Sequence, residues 1–383
     1  MVSSRKQNGS EITSLNYFSE IGKPELSACR SSLSEARSKL SWEAFEYLLD
    51  ELNRASEPLK WKGHRVRACD GSHLALPATK EILEHFPRRE CVQSRTHYPK
   101  AILVVATDIL TGIPTTAKIG QGENASEREM LASMLDDFEA GDIMLMDRGY
   151  EGIDHLYELE RRGQNFITRL RAAGSSSQAV QDLLRSGKKS AIVTVKTKAG
   201  ESYTIRLLRK GHDRNGLPIV LGTNLIDKTK YSNKEIYGLY LRRWQIETMY
   251  YRVKQLFCME KFYARSLNGV LQEIWANLFV LGLTSLTVSA SAEASAVSAP
   301  NFKNATEVLR RNLHYAISIR LTKRQAMMRA REMLEQITSI TCRKQPGRKN
   351  PRISRQPTTK WNVHRPLAKN RPKRPYKKEK MGA

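Results

Sequence analysis

Cysteines are few in this chain, and long apolar runs are missing. The 383 residues include five cysteines, and none of them stands in a C-x-x-C pair. An odd number of scattered cysteines excludes a disulfide framework and a cysteine zinc site, and it indicates reduced thiols in a cytosol. No segment reaches the roughly 18 uninterrupted apolar residues of a membrane-spanning helix. The nearest candidate, 274 to 290, is interrupted by polar residues, so we predict a buried helix in a cytoplasmic protein with no membrane partner.

Acidic residues are scarce relative to basic ones. The chain has 64 Lys plus Arg against 39 Asp plus Glu, which gives a formal charge of +25 and a pI near 9.9. Such a surplus destabilises the compact state by self-repulsion unless a polyanion neutralises it. Because no membrane segment is predicted, we expect nucleic acid as the partner. The hydrophobic content of 40% is enough for a core, which excludes a chain that is disordered throughout.

Several common catalytic motifs are absent from the sequence. There is no P-loop and no G-x-S-x-G motif, and Gly120-Gln121-Gly122 lacks the third glycine of a dinucleotide loop. The histidines show no metal-ligand spacing such as H-x-x-x-H. These absences argue against a nucleotide-dependent enzyme, a serine hydrolase of the nucleophile-elbow type and a histidine metal site.

The residue pattern along the chain predicts an α/β fold with additional segments. Apolar or alternating runs predict strands at 64–70, 101–107, 113–119, 143–147 and 165–170, with helices at 126–139 and 154–162. Strands followed by alternating helices and strands favour a mixed sheet. The predicted divisions are a helical region at 1–60, an α/β domain at 61–172 and 231–290, a β-rich insertion at 173–230, helices at 291–342 and a tail at 343–383. The tail holds 15 Lys plus Arg and a single acid, so we expect it to be flexible.

Two acidic residues follow predicted buried strands. Asp70 closes the strand at 64–70, and Asp147 closes the run IMLMD. A carboxylate at a strand end points into the crevice outside the sheet, which is the usual place for sites in α/β folds. An aspartate before a turn is also common for local hydrogen bonding, and for either residue alone that structural explanation is the better one.

A helix predicted at 233–258 carries a set of polar residues at regular offsets. They are Tyr240, Arg243, Glu247 and Lys254. At about 100° per residue these four fall within a stripe roughly 60° wide. The alternative explanation is a solvated face with a helical ion pair, since Arg243 and Glu247 are i,i+4 neighbours. Large rings crowd the same helix, including Trp244, and they favour an ordered, functional face.

The spacing Tyr-x-x-Arg-x-x-x-Glu-x-x-x-x-x-x-Lys, followed here by Tyr240 to Lys254, resembles the signature of a transposase family. It is typical of the insertion-sequence-four type of bacterial cut-and-paste transposases, which are members of the DDE superfamily. Asp70-Gly71-Ser72 and Asp147-Arg148-Gly149-Tyr150 resemble the two aspartate blocks of that family, and Ser126-Glu127 resembles a further pair. The resemblance spans roughly residues 63 to 280.

The resemblance implies a fold, a cofactor and a set of partners. The fold would be a ribonuclease-H-like mixed sheet flanked by helices, interrupted by a β-rich insertion, with N- and C-terminal helical regions. Asp70, Asp147 and Glu247 would hold two Mg²⁺ ions, with Mn²⁺ as a substitute, for phosphoryl transfer. The partners would be double-stranded DNA, as transposon terminal inverted repeats and as target, and a second copy of the chain in a homodimer. Residues 1–60 would help to bind the transposon ends.

The same resemblance implies which residues contact DNA. Arg243 and Lys254 would grip phosphates beside the cleaved bond, and Tyr240 would contact the backbone nearby. Trp244 or another ring would stack on a flipped base. Arg148, next to Asp147, is a further candidate for DNA contact.

Two other functional classes remain open at this point. The chain could be a non-catalytic DNA-binding protein on a decayed transposase scaffold, or a ribonuclease-H-like nuclease without strand transfer. Other carboxylates could also belong to the site, but most of them suit turns or caps. They are Asp108, Glu123, Glu127, Asp142 and Asp154.

Overall fold

The computed structural model describes residues 18–19, 23–87, 98–121, 125–173, 177–213, 215–294, 300–316 and 321–341. All of these residues belong to one unit, 1–342, and the second unit is the predicted basic tail at 343–383. The tail and Glu123 lie outside the described residues, as does most of the segment before residue 23.

The elements follow one another in the order that the sequence predicts. The strands are β1 (Val66–Ala75), β2 (Lys100–Asp108), β3 (Pro114–Gly120), β4 (Ile143–Met146), β5 (Asn165–Leu170), β6 (Ser190–Lys196), β7 (Ser202–His212) and β8 (Pro218–Thr223). The helices are α1 (Arg30–Lys39), α2 (Glu43–Ala55), α3 (Lys80–His85), α4 (Glu127–Ala132), α5 (Ile153–Arg161), α6 (Gln178–Arg185), α7 (Asn233–Leu241), α8 (Trp244–Tyr251), α9 (Leu267–Ala294), α10 (Phe302–Ala316) and α11 (Lys323–Ser339).

All eight strands form one mixed sheet in the order β3-β2-β1-β4-β5-β8-β7-β6. The first three strands form an antiparallel meander, and β4 and β5 then run parallel to β1. This arrangement confirms the predicted ribonuclease-H-like α/β fold class. Strand β8 pairs with β5, so the β-rich segment at 173–230 extends the same sheet.

The two faces of the sheet carry separate layers of helices. Alternate side chains of a strand point to opposite faces, so Val66 and Ala68 in β1 contribute to a different core from Cys69. On the first face, α7, α8 and α9 pack against the strands, and on the second face α4, α5 and α6 do so. The strands β1 and β4 are therefore covered by one helical layer on each face of the sheet.

Helix α9 is the apolar segment for which the sequence predicts a buried helix. By length and composition alone, Leu267–Ser291 could cross a membrane, but 67% of the relevant window is buried inside the fold. It packs on α2, α10 and the sheet, and thus serves as the central helix of the first face.

Two predicted boundaries are wrong. Strand β1 does not end at Asp70 but continues to Ala75, because β2 pairs with it over its whole length, from Arg67↔Asp108 to Ala75↔Lys100. The helix predicted at 126–139 is shorter, since α4 ends at Ala132 and a short 3-10 turn follows. Ser126 does cap this helix, as predicted, by accepting a hydrogen bond from the backbone N–H of Glu129.

Candidate active site

Asp70 and Asp147 lie side by side on neighbouring parallel strands. The pairing of β1 with β4 runs from Val66↔Ile143 to Ala68↔Leu145, and Asp147 follows directly after the end of β4. The two acids are close enough for the charge of Asp147 to raise the pKa of Asp70. Neighbouring strands are about 4.8 Å apart. Residues two positions apart in an extended chain point to the same face, so Asp70 lies on the same face as Ala68, and Asp147 on the same face as Leu145. Both side chains therefore belong to the first face. Because β4 stops at Met146 while β1 continues, a crevice opens beside Asp70.

Backbone hydrogen bonds orient the two carboxylates in the same way. Oδ1 of Asp70 accepts from the N–H of Gly71 at 3.0 Å, and Oδ1 of Asp147 accepts from the N–H of Gly149 at 2.6 Å. Within the part of the chain that the structure describes, the second oxygen of each carboxylate has no hydrogen bond. Each aspartate thus presents one fixed and one open oxygen to the crevice.

The environment of Asp70 disfavours the ionised form of its carboxyl group. Burial raises its pKa from 3.8 to about 6. The N–H of Gly71 lowers that pKa, the charge of Asp147 raises it, and Arg243 lowers it. Two acids in one poorly solvated crevice favour protonation unless a cation joins them, and this is the electrostatic setting in which a carboxylate site binds metal ions.

The helix predicted at 233–258 is not continuous. Helix α7 ends at Leu241, α8 begins at Trp244, and a π-helical turn follows at Arg252–Leu256. At the break, the N–H groups of Arg243 and Ile246 bond three residues back, to Tyr240 and Arg243, instead of four. The predicted single helix is therefore wrong, but Tyr240, Arg243 and Lys254 all act on the strands that carry or precede the two aspartates.

Tyrosine hydroxyls tie this broken helix to the two aspartate strands. The hydroxyl of Tyr240 donates to the carbonyl oxygen of Met146, next to Asp147, at 3.2 Å. The hydroxyl of Tyr250 lies 2.7 Å from the carbonyl oxygen of Asp70 and 2.9 Å from that of Leu103. Sequence reasoning assigned no role to Tyr250, whose contribution is to fix α8 against the strand that carries Asp70.

Three further residues that the sequence predicts to contact DNA differ in their exposure and hydrogen bonding: Lys254, Trp244 and Arg148. The ammonium of Lys254 donates to the carbonyl oxygen of His73 at 2.6 Å and lies 3.5 Å from Glu260. Trp244 is 61% exposed, with the guanidinium of Arg243 5.8 Å from its ring. Arg148 is exposed beside Asp147. Trp244 and Arg148 are thus open to a partner, whereas Lys254 holds the end of β1.

Arg243 lies between Glu247 and the aspartates. Its guanidinium is buried and pairs with Oε1 of Glu247 at 2.7 Å, while its charge also lowers the pKa of Asp70. Glu247 itself is 42% exposed. Among the described residues, no group of three His, Cys, Asp or Glu side chains is placed closely enough to hold a metal ion. Glu247 must therefore exchange Arg243 for a metal ion if it is to act with Asp70 and Asp147.

A fourth carboxylate, Glu127, lies against Gly71, the residue after Asp70, on the second face of the sheet. A Cβ added at Gly71 would lie 2.6 Å from Cδ of Glu127, so the side chain covers the Cα of this glycine. Oε2 of Glu127 accepts a hydrogen bond from the buried Tyr150 hydroxyl at 3.3 Å. Sequence reasoning noted the Ser126-Glu127 pair, but it grouped Glu127 with the carboxylates that suit caps. Only the packing of α4 on β1 reveals its position.

Replacing Gly71 by alanine is expected to disturb this contact without unfolding the protein. The new methyl group must displace Glu127 from Gly71, which moves one charge of the site by about 1 Å and slows the reaction that the site carries out by roughly tenfold to a hundredfold. Stability changes little, because the clash is with the far end of a flexible side chain. Single-turnover rates and thermal unfolding measure the two effects.

The control for this prediction is Glu127→Ala, alone and combined with Gly71→Ala. If the methyl group acts through Glu127, the double variant is no slower than Glu127→Ala. Additive losses would show that Gly71 is needed for another reason, such as close approach of the substrate.

Three other carboxylates that the sequence offers as candidates have structural roles: Asp108, Asp142 and Asp154. Asp108 accepts from the N–H groups of Leu110 and Thr111, and Asp142 pairs with the buried Arg67 at 3.1 Å. Asp154 accepts from the backbone N–H of residue 198 at 2.9 Å. These residues hold turns and strand ends, in agreement with the structural explanation of their sequence positions.

The chain belongs to the transposase DDE domain family, whose model matches residues 61–283. This match confirms that the sequence resemblance is to DDE transposases. A curated relative, Transposase InsG for insertion sequence element IS4 of Escherichia coli (strain K12), is 26% identical over 280 residues. That alignment covers 69% of this chain and 62% of the relative, so the chain spans less than two thirds of the relative's length.

Among solved structures, the chain is similar to the cryo-EM structure of a piggyBac transposase synaptic complex with hairpin DNA. The TM-score is 0.45 at 11% sequence identity, with 83% of this chain and 65% of that chain covered.

Proposed function

We propose that this protein cuts DNA at the ends of an insertion sequence and joins those ends to target DNA, in a reaction that depends on divalent metal ions. The observation that carries the proposal is the proximity of Asp70 and Asp147 to each other and to Arg243, which pairs with Glu247. Membership of the transposase DDE domain family supports the same reaction.

The residues at the crevice fit Mg²⁺ or Mn²⁺. Their donor set is made of carboxylate oxygens, which are the ligands that hard divalent cations prefer. Burial raises the pKa of Asp70, so a bound cation would favour its ionised form, and each aspartate keeps one oxygen open. Asp70 and Asp147 would hold the metal ions, and Glu247 would complete the site after leaving Arg243. Bound Mg²⁺ would stabilise charge on the attacking and leaving oxygens.

The surrounding side chains would position the DNA. Arg243, once released by Glu247, would bind the phosphate beside the cleaved bond, and Lys254 the next one. Tyr240 would contact the backbone nearby, and the exposed ring of Trp244 offers a stacking surface for a flipped base. Arg148 would add a further phosphate contact at the mouth of the crevice. The substrates would be double-stranded terminal repeats and target DNA, bound by a homodimer.

The proposal predicts that Glu247→Ala binds transposon-end DNA but does not cut it. The wild-type protein with labelled end DNA and Mg²⁺ should give cleaved ends and then joined products. In Glu247→Ala the cleavage rate should fall on the order of a thousandfold or more, since the ligands of one metal site act as a unit. Glu201→Ala, an exposed glutamate in the turn between β6 and β7, is the matched control and should cut normally.

Other outcomes of this assay distinguish the alternatives. Retention of DNA with no cleavage by the wild-type protein would identify a DNA-binding protein on an inactive scaffold. Cleavage without joined product would identify a nuclease. Equal cleavage by the wild-type protein and Glu247→Ala would refute the site.

A further inference from the structure

The first turn of helix α4 contacts both segments that carry the aspartates. The ladder between β1 and β4 ends at the pair Ala68↔Leu145, two residues before each acid. From there on, the described part of β1 pairs with β2 on its other edge only. The relative positions of the two carboxylates therefore depend on contacts other than strand pairing, and α4 supplies such contacts from the second face of the sheet.

A glycine holds each aspartate, and the two glycines differ in their own support. The N–H of Gly71 donates to Oδ1 of Asp70, and Gly71 lies within β1, where β2 pairs with it. The N–H of Gly149 donates to Oδ1 of Asp147, and Gly149 lies in a 3-10 turn outside the sheet. The direction of the Asp147 carboxylate therefore depends on a peptide group that the sheet does not fix.

Consecutive residues of α4 contact these two glycines. Glu127 packs against the Cα of Gly71, since a Cβ at that position would lie 2.6 Å from Cδ of the glutamate. Arg128, the next residue, donates a hydrogen bond from Nε to the carbonyl oxygen of Gly149. One helical turn thus joins the backbone segments beside the two aspartates, and Arg128 supplies the contact on the side where the sheet gives no support.

Packing on the second face fixes the position of α4. Leu131 is fully buried in the core of that face. The helix lies directly on the end of β3, because a Cβ added at Gly120 would be 2.7 Å from Sδ of Met130. The hydroxyl of Tyr150 donates to Oε2 of Glu127 at 3.3 Å. Arg128 therefore projects from an anchored helix, which is the kind of support that a residue needs in order to orient another group.

Arg128 contributes little to the stability of the fold. Its side chain is exposed, and a single hydrogen bond in contact with water adds little net stability. The groups that hold metal ligands in place have a larger effect on the metal ion, since their removal costs roughly 10- to 100-fold in metal affinity. The contact of Arg128 with Gly149 is therefore expected to matter more for the direction of the Asp147 carboxylate than for folding.

We propose that Arg128 is a positioning residue of the carboxylate site, which acts through Gly149 on the direction of the Asp147 carboxylate. Glu127 holds the same turn of α4 against β1, so the pair sets the geometry between the two aspartates from the second face of the sheet. The inference rests on the proposed function, in which these aspartates hold the metal ions. Arg128 itself contacts a backbone carbonyl and not the reacting groups.

The test is Mn²⁺ binding by Arg128→Met, measured by calorimetric titration in the absence of DNA. Methionine is unbranched and has a helix propensity close to that of arginine, but it removes the charge and the hydrogen bond. Loss of a positive charge near two carboxylates would by itself tighten the binding of a cation. Loss of the hold on Asp147 would instead weaken Mn²⁺ binding by roughly 10- to 100-fold, and this weakening is the expected result.

Two further variants separate the effect of the hydrogen bond from that of charge. Arg185→Met removes the same charge from an exposed arginine of α6 and should bind Mn²⁺ like the wild-type protein. Arg128→Lys keeps the charge and a hydrogen-bond donor on a long side chain, so it should bind Mn²⁺ more tightly than Arg128→Met does. Thermal unfolding establishes that the variants fold, and Arg128→Gln replaces Arg128→Met if the methionine prevents folding.

Unchanged or tighter Mn²⁺ binding by Arg128→Met would overturn the inference while leaving the proposed function intact. Normal Mn²⁺ binding together with a loss of affinity for duplex DNA in EDTA would also overturn it, because Arg128 would then be a DNA contact. If Asp70→Asn binds Mn²⁺ as tightly as the wild-type protein does, the aspartates hold no metal ion, and it is the proposed function that fails.

Discussion

Asp70→Asn is expected to abolish DNA cleavage and, at the same time, to stabilise the metal-free protein. Loss of a proposed metal ligand should lower the cleavage rate on the order of a thousandfold or more. Asparagine keeps the shape of the side chain and can still accept the hydrogen bond from the N–H of Gly71. What it removes is the buried negative charge beside Asp147, and that charge is the source of the stability effect.

The sign of the stability effect follows from the pKa of Asp70. Burial raises this pKa from 3.8 to about 6, so the unfolded chain ionises at a lower pH than the folded protein. Ionisation therefore favours unfolding as the pH rises from about 4 to 6, and the cost is constant above that window. In Asp70→Asn the cost is absent, so the variant should gain about 1–3 kcal/mol at pH 8 and nothing below pH 4.

Thermal unfolding across this pH range, with and without Mg²⁺, tests the prediction. Mg²⁺ should raise the unfolding temperature of the wild-type protein but not that of Asp70→Asn. Asp182→Asn, which changes an exposed carboxylate on α6, is the control and should alter stability by less than about 0.5 kcal/mol. Loss of stability in Asp70→Asn at pH 8 would show that the charge is already compensated in the metal-free protein.

The sequence predicts some strand ends near this site correctly, but not the end of the strand that carries Asp70, which continues to Ala75. The bounds of β5 agree with the alternating run at 165–170, and Asp147 follows a buried strand as predicted. Both features depend on local patterns of apolar residues. The neighbour relation of Asp70 and Asp147 depends on strand register, which brings together residues far apart in the chain, and only the resemblance to a family anticipates it.

The pattern of residues predicts neither the break between α7 and α8 nor the contact of Glu127 with Gly71. A periodicity argument assumes about 100° per residue, so it does not detect the short-range hydrogen bonds that end α7 before Trp244. Glu127 has the sequence position of a helix-start acid, where a favourable dipole interaction is a sufficient explanation. Its contact with Gly71 exists because α4 packs on the second face of the sheet, and this is a tertiary effect.

Arg243→Gln is expected to bind divalent metal ions more tightly in the absence of DNA and yet to cut DNA more slowly. The guanidinium pairs with Glu247 and adds positive charge beside Asp70. Its removal frees the glutamate and lowers the repulsion of a cation, by roughly 1 kcal/mol or about fivefold in dissociation constant. Cleavage should fall by about 10²–10³-fold, because a cation positioned at the reacting phosphate is lost.

Calorimetric titration with Mn²⁺ and single-turnover cleavage measure these opposite effects. Arg242→Gln is the matched control: this neighbouring arginine is exposed, and removing it should leave both quantities unchanged. If Arg243→Gln instead weakened metal binding and cleavage together, Arg243 would be holding Glu247 in place for the metal ion. Opposite signs would support the proposal that the charge of Arg243 opposes metal binding before DNA binds and serves the reaction once Glu247 has released it.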